Sequence, residues 1–149
     1  MARSYATTPM PSSPDPAAVL RDARTIAVVG CSPRASQTSH RIARYIQGAG
    51  FAMVPVNPYH GEILGETAYP DLVSIPDDVV VDVVDVFRRP EFAADVVRDA
   101  ADRAERTGQR PVIWTQLGVS SPEAARLAAE AGLPYVTDRC LMVDHAALV

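Results

Sequence analysis

A small doubly wound α/β domain, built on a five-stranded parallel sheet, is the fold this sequence predicts, and three observations carry the prediction. Short runs rich in valine and isoleucine recur along the chain and end at glycine or polar turns, as strands buried on both faces do. Between them lie segments with apolar residues at helical spacing. Strands alternating with helices imply βαβ crossovers, which are almost always right-handed and give a parallel sheet covered on both faces. The 149 residues are 48% hydrophobic, 21% charged and 6% aromatic, the profile of one globular domain rather than two. At this length roughly two-thirds of the unfolded surface can be buried, so a core forms without disulfides or metal.

The elements follow in chain order. Met1 to Pro16 mix Ser, Thr, Pro and Ala without periodicity, so residues 1–16 are expected to be a flexible tail and 17–149 the folded domain. Asp15 is placed to cap a short helix through Arg21, with Pro16 at its first position, where the missing N–H costs nothing. Thr25 to Gly30 reads as the first strand and Phe51 to Val56 as the second, with Pro55 near its end because it removes a ladder donor. Val79 to Val86 is the third, Pro111 to Trp114 the fourth and Pro134 to Thr137 the fifth. Helices are expected over Ser39 to Gln47, Glu91 to Arg106 and Ser121 to Ala131, with Gly48, Gly50, Gly108 and Gly132 where helix ends need a left-handed residue. The region from Pro58 to Pro76 reads as irregular with at most one short helix, and it is too long to be a mere connection.

Charge and cysteine content narrow the function classes. Eighteen acidic against fourteen basic side chains give a net charge of −4 with no basic block, which argues against a broad nucleic-acid footprint and leaves room for a local anion site. The two cysteines, Cys31 and Cys140, are far apart and outside any CxxC pattern, as in a reducing cytoplasm rather than a disulfide framework or zinc site. No apolar run approaches the roughly 20 residues of a membrane span, and the start lacks a basic region followed by an apolar core. A soluble, cytoplasmic protein with no membrane partner is expected.

In an open α/β sheet, ligands bind outside the carboxyl ends of the strands where strand order reverses, so the loops after each strand hold the candidate site. The first, Gly30 to His40, has one glycine at the strand end, then hydroxyl residues and Arg34, and leads into a helix whose free N–H groups suit a pyrophosphate. It lacks the second and third glycines of GxGxxG, which argues against ordinary dinucleotide binding. Alternatively, Ser36 or Ser39 caps the helix and Arg34 is merely solvated. A fold of this kind that binds NAD places Asp or Glu at the end of the second strand. Here Asn57 stands there, neutral and with His60 and Arg34 nearby, which suits a phosphorylated ribose; Asn57-Pro58 also reads simply as a turn. Arg88 and Arg89 follow the third strand, and the preferred split has one at the ligand and the other in an ion pair with Asp85 or Glu91. Trp114 reads as core filling, and Gln116 either bonds a ligand or satisfies a loop backbone.

Taken together, Ala27 to Ser32, Pro55 to Pro58, Glu62 to Gly65 with Tyr69-Pro70, Val84 to Arg88, Trp114 to Gly118 and Asp138-Arg139-Cys140 resemble the small single-domain CoA-binding proteins, which look like the CoA-binding domain of the succinyl-CoA synthetase alpha subunit standing alone. The resemblance covers nearly the whole chain after the tail. It implies a Rossmann-like domain holding coenzyme A through Gly30, Ser32, Arg34 and Ser39 in the first loop, Val56, Asn57 and Pro58, then Phe87 and Arg88, and Gln116. Many relatives carry Lys after the Asn-Pro, where this chain has Tyr59; the loss shifts phosphate binding toward His60 and the arginines. Phe87 or Tyr59 is a candidate to stack on adenine.

The resemblance also bears on catalysis. A succinyl-CoA synthetase needs a phosphorylatable histidine from a second domain and a nucleotide-grasping partner, for which this length leaves no room. His40, His60 and His145 show neither metal-ligand nor triad spacing, so no catalytic residue and no metal ligand is assigned. The expectation is a non-catalytic carrier, sensor or partner subunit that binds CoA or acyl-CoA. Two other readings stay open: a CoA-dependent acyltransferase or thioesterase using Cys140 or a partner's group, and an NAD(P)-responsive regulatory domain. The Ala124, Ala125, Ala128 and Ala129 face packs on the sheet or forms a homodimer.

Overall fold

The computed structural model describes residues 13–148. The expected tail lies outside that range except at its end, where Asp15 accepts the Ala17 N–H at 3.2 Å and caps α1 (Pro16–Asp22). The chain continues through β1 (Thr25–Val29), α2 (Thr38–Gly48), β2 (Ala52–Val56), a small ribbon of β3 (Glu62–Ile63) and β4 (Glu66–Thr67), β5 (Val83–Val86), α3 (Pro90–Thr107), β6 (Val112–Thr115), α4 (Pro122–Ala131), β7 (Tyr135–Val136) and α5 (Leu141–Ala146). The main sheet is parallel, in the order β2-β1-β5-β6-β7, so strand order reverses at β1.

Each face of the sheet has its own core. Ile26, Val28, Val83 and Trp114 pack with Leu20 of α1, Ile42 and Ile46 of α2 and Leu141 of α5. Ala27, Val84, Val86 and Ile113 pack with α3 and α4 on the other side. Trp114 is fully buried and its indole N–H donates to Arg139 O at 2.8 Å, which agrees with core filling. Small residues on α4, Ala124 and Ala128, face this core, so the alanine stripe packs on the sheet.

Four expectations need correction. The third strand is shorter than its valine run. Asp82 turns its carboxylate to the Arg24 and Thr25 N–H groups (2.9 and 3.0 Å), and the Val81 N–H goes to Gln109 Oε1 at 3.0 Å, so pairing with β1 starts only at Val83. The stretch from Pro58 to Pro76, expected to be irregular with at most one short helix, is partly regular. It forms the β3–β4 ribbon around Leu64 and Gly65, both at positive φ (55° and 78°), and then returns along the edge of β2, where Tyr69 N–H bonds Pro55 O at 3.1 Å. That cover satisfies an edge that would otherwise invite pairing. Gly48 lies inside α2, whose end residue Ala49 is right-handed, whereas Gly108 and Gly132 do cap α3 and α4 at φ 77° and 71°. Finally, α5 follows β7, where no helix was expected.

Candidate functional site

A crevice of about 920 Å³ opens at the carboxyl ends of β1, β2 and β5 and runs down the side of α3. Six of the ten residues expected at a ligand line it: Gly30, Val56, Asn57, Pro58, Phe87 and Arg88. They meet here because β1 lies between β2 and β5 in the sheet, so three strand ends distant in sequence become neighbours. Gly30 has φ 83°, and a Cβ there would sit 2.5 Å from Phe87 O, so glycine is required for the two loops to approach each other.

Asn57 ties the loops together. Its Nδ2 donates to Cys31 O at 2.9 Å and its Oδ1 accepts the Tyr59 N–H at 2.8 Å, so the side chain braces the turn as well as lining the crevice. Arg88 lies 4.7 Å over the Phe92 ring and has no carboxylate partner among the described residues. Arg89 faces Glu91 at 4.0 Å. The split between one free and one paired arginine thus appears in the structure, but Asp85 plays no part in it because that residue is buried within the sheet.

The other four expected residues lie outside the crevice lining. Ser39 Oγ accepts the Ser32 N–H at 3.0 Å, and Ser32 Oγ accepts the Arg34 N–H at 3.1 Å, so the two serines fold the first loop onto itself. Ser39 therefore braces the loop instead of capping α2, whose N-cap Gln37 makes no side-chain cap. Arg34 is exposed, and His40 Nδ1 meets Ser32 O at 2.9 Å. Gln116 is buried and spends its Oε1 on the Leu141 N–H at 3.1 Å, the backbone-satisfying alternative.

One wall of the crevice was invisible in the sequence reading. Phe92, Asp95, Asp99 and Asp102 come from successive turns of α3, and Pro70, Asp71 and Leu72 face them. The spacing of three or four residues on the polar side of α3 was the available signal, but without the facing loop it reads as an ordinary solvated helix face. Asp99 accepts the Leu72 N–H at 2.6 Å and so joins the two walls. Burial, opposed by that hydrogen bond and assisted by the charges of Asp71 and Asp102, raises its acid above the usual carboxylate range. The crevice is therefore mixed in charge, with Arg88 and Arg89 at the strand ends and, further down α3, the carboxylates of Asp95, Asp99 and Asp102 beside Arg98, which pairs with Asp95 and Glu123.

Neither cysteine lines the crevice. Cys31 is fully buried, and burial pushes its thiol up to about 11. Cys140 is half-buried at the start of α5, and its neighbour Arg139 directs its guanidinium to Asp144 at 2.6 Å. Iodoacetamide at neutral pH is expected to label Cys140 in the folded protein and Cys31 only after denaturation, because the thiolate is the nucleophile. Mass mapping of the adducts checks this; rapid native labelling of Cys31 would contradict its burial. Among the described residues no group of three or more His, Cys, Asp or Glu is arranged to hold a metal ion, and no helix is long and apolar enough to cross a membrane.

Comparison with known proteins adds a second kind of observation. A family model described as a CoA binding domain matches residues 24–146. The chain is 36% identical over 136 residues to the uncharacterized protein YneT of Bacillus subtilis, covering 91% of this chain and 96% of that one. A solved structure from Thermus thermophilus, described as cell-free ID.343, superposes with a TM-score of 0.78 at 38% identity, covering 89% of this chain and 95% of its own. A shorter match, 30% identical over 61 residues, joins 41% of this chain to 9% of an ADP-forming acetate–CoA ligase of Archaeoglobus fulgidus.

Proposed function

The chain belongs to the CoA-binding domain family, and from that membership we propose that its crevice takes coenzyme A or an acyl-CoA, the protein acting as a carrier, sensor or partner module without chemistry of its own. The observation that carries the reading is Arg88: a guanidinium with no carboxylate partner among the described residues, held over Phe92 at the end of β5 and lining the crevice together with Gly30. A guanidinium so placed offers planar, charge-assisted contact to a phosphate oxygen. The carboxylates of Asp71, Asp99 and Asp102 repel a second anion further down, so the phosphates belong at the strand ends and an uncharged part of the ligand beyond them. Tyr59, 86% exposed at the rim, is a surface on which a purine can stack.

Ser32, Arg34, Ser39 and Gln116 enter this reading only indirectly. Arg34 is exposed and in no ion pair among the described residues, and we propose that it meets a phosphate projecting from the crevice, while Ser32, Ser39 and Gln116 hold the loops. Calorimetric titration with CoA, dephospho-CoA, NAD and NADP tests the assignment. CoA is expected to bind most tightly, and Arg88→Ala to weaken it by about 1–3 kcal/mol, the range of a charge-assisted hydrogen bond. Tighter binding of NAD than of CoA would favour a dinucleotide-responsive domain instead. Undiminished CoA affinity in Arg88→Ala would remove the guanidinium from the site.

A further inference from the structure

Asp85 is the third residue of β5, 0% exposed, with no hydrogen-bond partner for either carboxylate oxygen. It lies opposite Val28 of β1 and Trp114 of β6 in register and shares the face of Val83, the face covered by α1, α2 and α5. What packs there is apolar: Ile42 and Ile46 from α2, Leu141 from α5 and Leu20 from α1. Two thiols adjoin that cluster among the described residues: Cys31, after β1, whose thiol stays protonated, and the half-buried Cys140 packed against it from the start of α5. Of the charged and titratable groups on the helices over this face, Arg21 and Asp22 of α1 and Arg41 and Arg44 of α2 are exposed, while Tyr45 bonds His145 at 2.8 Å, His40 meets Ser32 O, and Asp144 holds Arg139. Arg103, the other buried charged residue among the described residues, belongs to α3 on the opposite face.

An ionised carboxylate in that setting has neither counter-charge nor donor, a state far costlier than the neutral acid. Burial accordingly pushes the Asp85 acid well above its usual range. The position matters because the next residues form the site. Phe87 N–H donates to Val29 O at 2.8 Å, and the close contact of Gly30 with Phe87 O depends on β5 being seated against β1.

We propose that Asp85 is a proton-operated latch beneath the crevice: with its proton in place β5 seats between β1 and β6 and presents Phe87 and Arg88, and loss of that proton releases the carboxyl end of the strand. The released proton goes to solvent, and the carboxylate gains hydration that the closed sheet denies it. The sign follows from linkage. Because the folded state keeps a proton that the unfolded chain gives up, the stabilisation is complete below the unfolded pKa and is lost as pH rises toward the folded one. Within that window the folding equilibrium changes roughly tenfold per pH unit.

The stability half of the latch stands by itself; the ligand half rests on the CoA reading. Urea denaturation from pH 4 to 9 compares the full-length protein with Asp85→Asn, and with Asp85→Leu in case an unbonded amide prevents folding. The wild type should lose stability relative to either variant as pH rises. Curves that run parallel across the range would overturn the latch, as would a carbon-detected NMR titration showing Asp85 ionised in the folded protein at pH 6. CoA affinity, measured at pH 6 and pH 9, should fall at least tenfold more in the wild type than in the variants, which share the ligand's own titration. Equal falls would overturn the coupling to the site. Absence of CoA binding at every pH would overturn the CoA reading and the ligand half with it, while the denaturation curves still decide the stability half.

Discussion

Gly30→Ala is expected to lower stability by about 2–5 kcal/mol and to abolish ligand binding in the crevice. Two costs combine. A left-handed backbone at φ 83° is strained for any residue with a Cβ, at about 1–2 kcal/mol. The new Cβ would also sit 2.5 Å from Phe87 O and 3.4 Å from Arg88 Cδ, and the first of these neighbours is backbone that must move. Such displacement adds about 1–3 kcal/mol. The strand that has to shift is the one presenting Phe87 and Arg88, so the stability loss and the binding loss share one cause. Gly118→Ala is the internal control. Gly118 also has positive φ, 76°, but nothing lies within 4 Å of its Cβ position, so only the conformational strain applies. Thermal denaturation of both variants separates the contributions, and equal destabilisation would show that the contact with Phe87 carries no weight.

The second large effect is expected at Arg103. This side chain is 4% exposed, and its guanidinium donates to Pro76 O, Val79 O and Gln109 Oε1, each at 2.8 Å, with a longer contact to Ile75 O at 3.4 Å. It is a buried cation held mostly by neutral carbonyls. Burial pulls its pKa down, with the nearby Asp77 opposing, and an arginine remains charged through such a shift. Arg103→Met removes four charge-assisted contacts: Ile75 O loses its donor, while Pro76 O keeps the Val79 N–H and Val79 O keeps Gln109 Nε2, for a loss of about 3–4 kcal/mol in total. Arg103→Lys should recover only part of this, because a single ammonium cannot serve a planar fork of acceptors. Urea denaturation with an unchanged slope checks the prediction; a loss below about 1 kcal/mol would show that the loop is held by other contacts. Because the same segment continues from the Pro70–Leu72 wall of the crevice, the methionine variant should also bind CoA more weakly.

The apolar runs expected as strands from Thr25 and Phe51 are found as β1 and, one residue shorter, β2, because a mostly buried strand has no polar face to interrupt it, and Pro55 lies near the strand end as expected. The Val79 to Val86 run misled for the same reason: burial alone makes a valine run, and Val81 is buried without belonging to a strand. What ended the strand was a long-range contact, Asp82 with the amides at the start of β1, which no local pattern encodes. Leu64-Gly65 was missed as a hairpin turn because leucine is an unusual residue at positive φ, and its strands are only two residues long.

For the site, the residues that sit at strand ends were recoverable: Gly30, Val56, Asn57, Pro58, Phe87 and Arg88 follow apolar runs directly, and the rule that ligands gather at those ends needs no coordinates. The polar side chains of the first loop and Gln116 could not be assigned in that way. A serine or glutamine in a loop has a ligand and a neighbouring amide as equivalent partners, and here Ser32, Ser39 and Gln116 took backbone partners.

The linear chain by itself determined the layer architecture, the order of the five sheet strands with the helices between them and which strand ends would line the crevice, because hydrophobic periodicity and glycine placement are local properties that survive without a partner. Tertiary structure alone decided the acidic wall of α3 opposite Pro70–Leu72, the seating of Arg103 among carbonyls and the isolation of Asp85 between Val28 and Trp114. Each of these is a charge whose behaviour is set by groups distant in sequence. Solvation and Coulomb energies depend on distance through space, so only the folded arrangement fixes them.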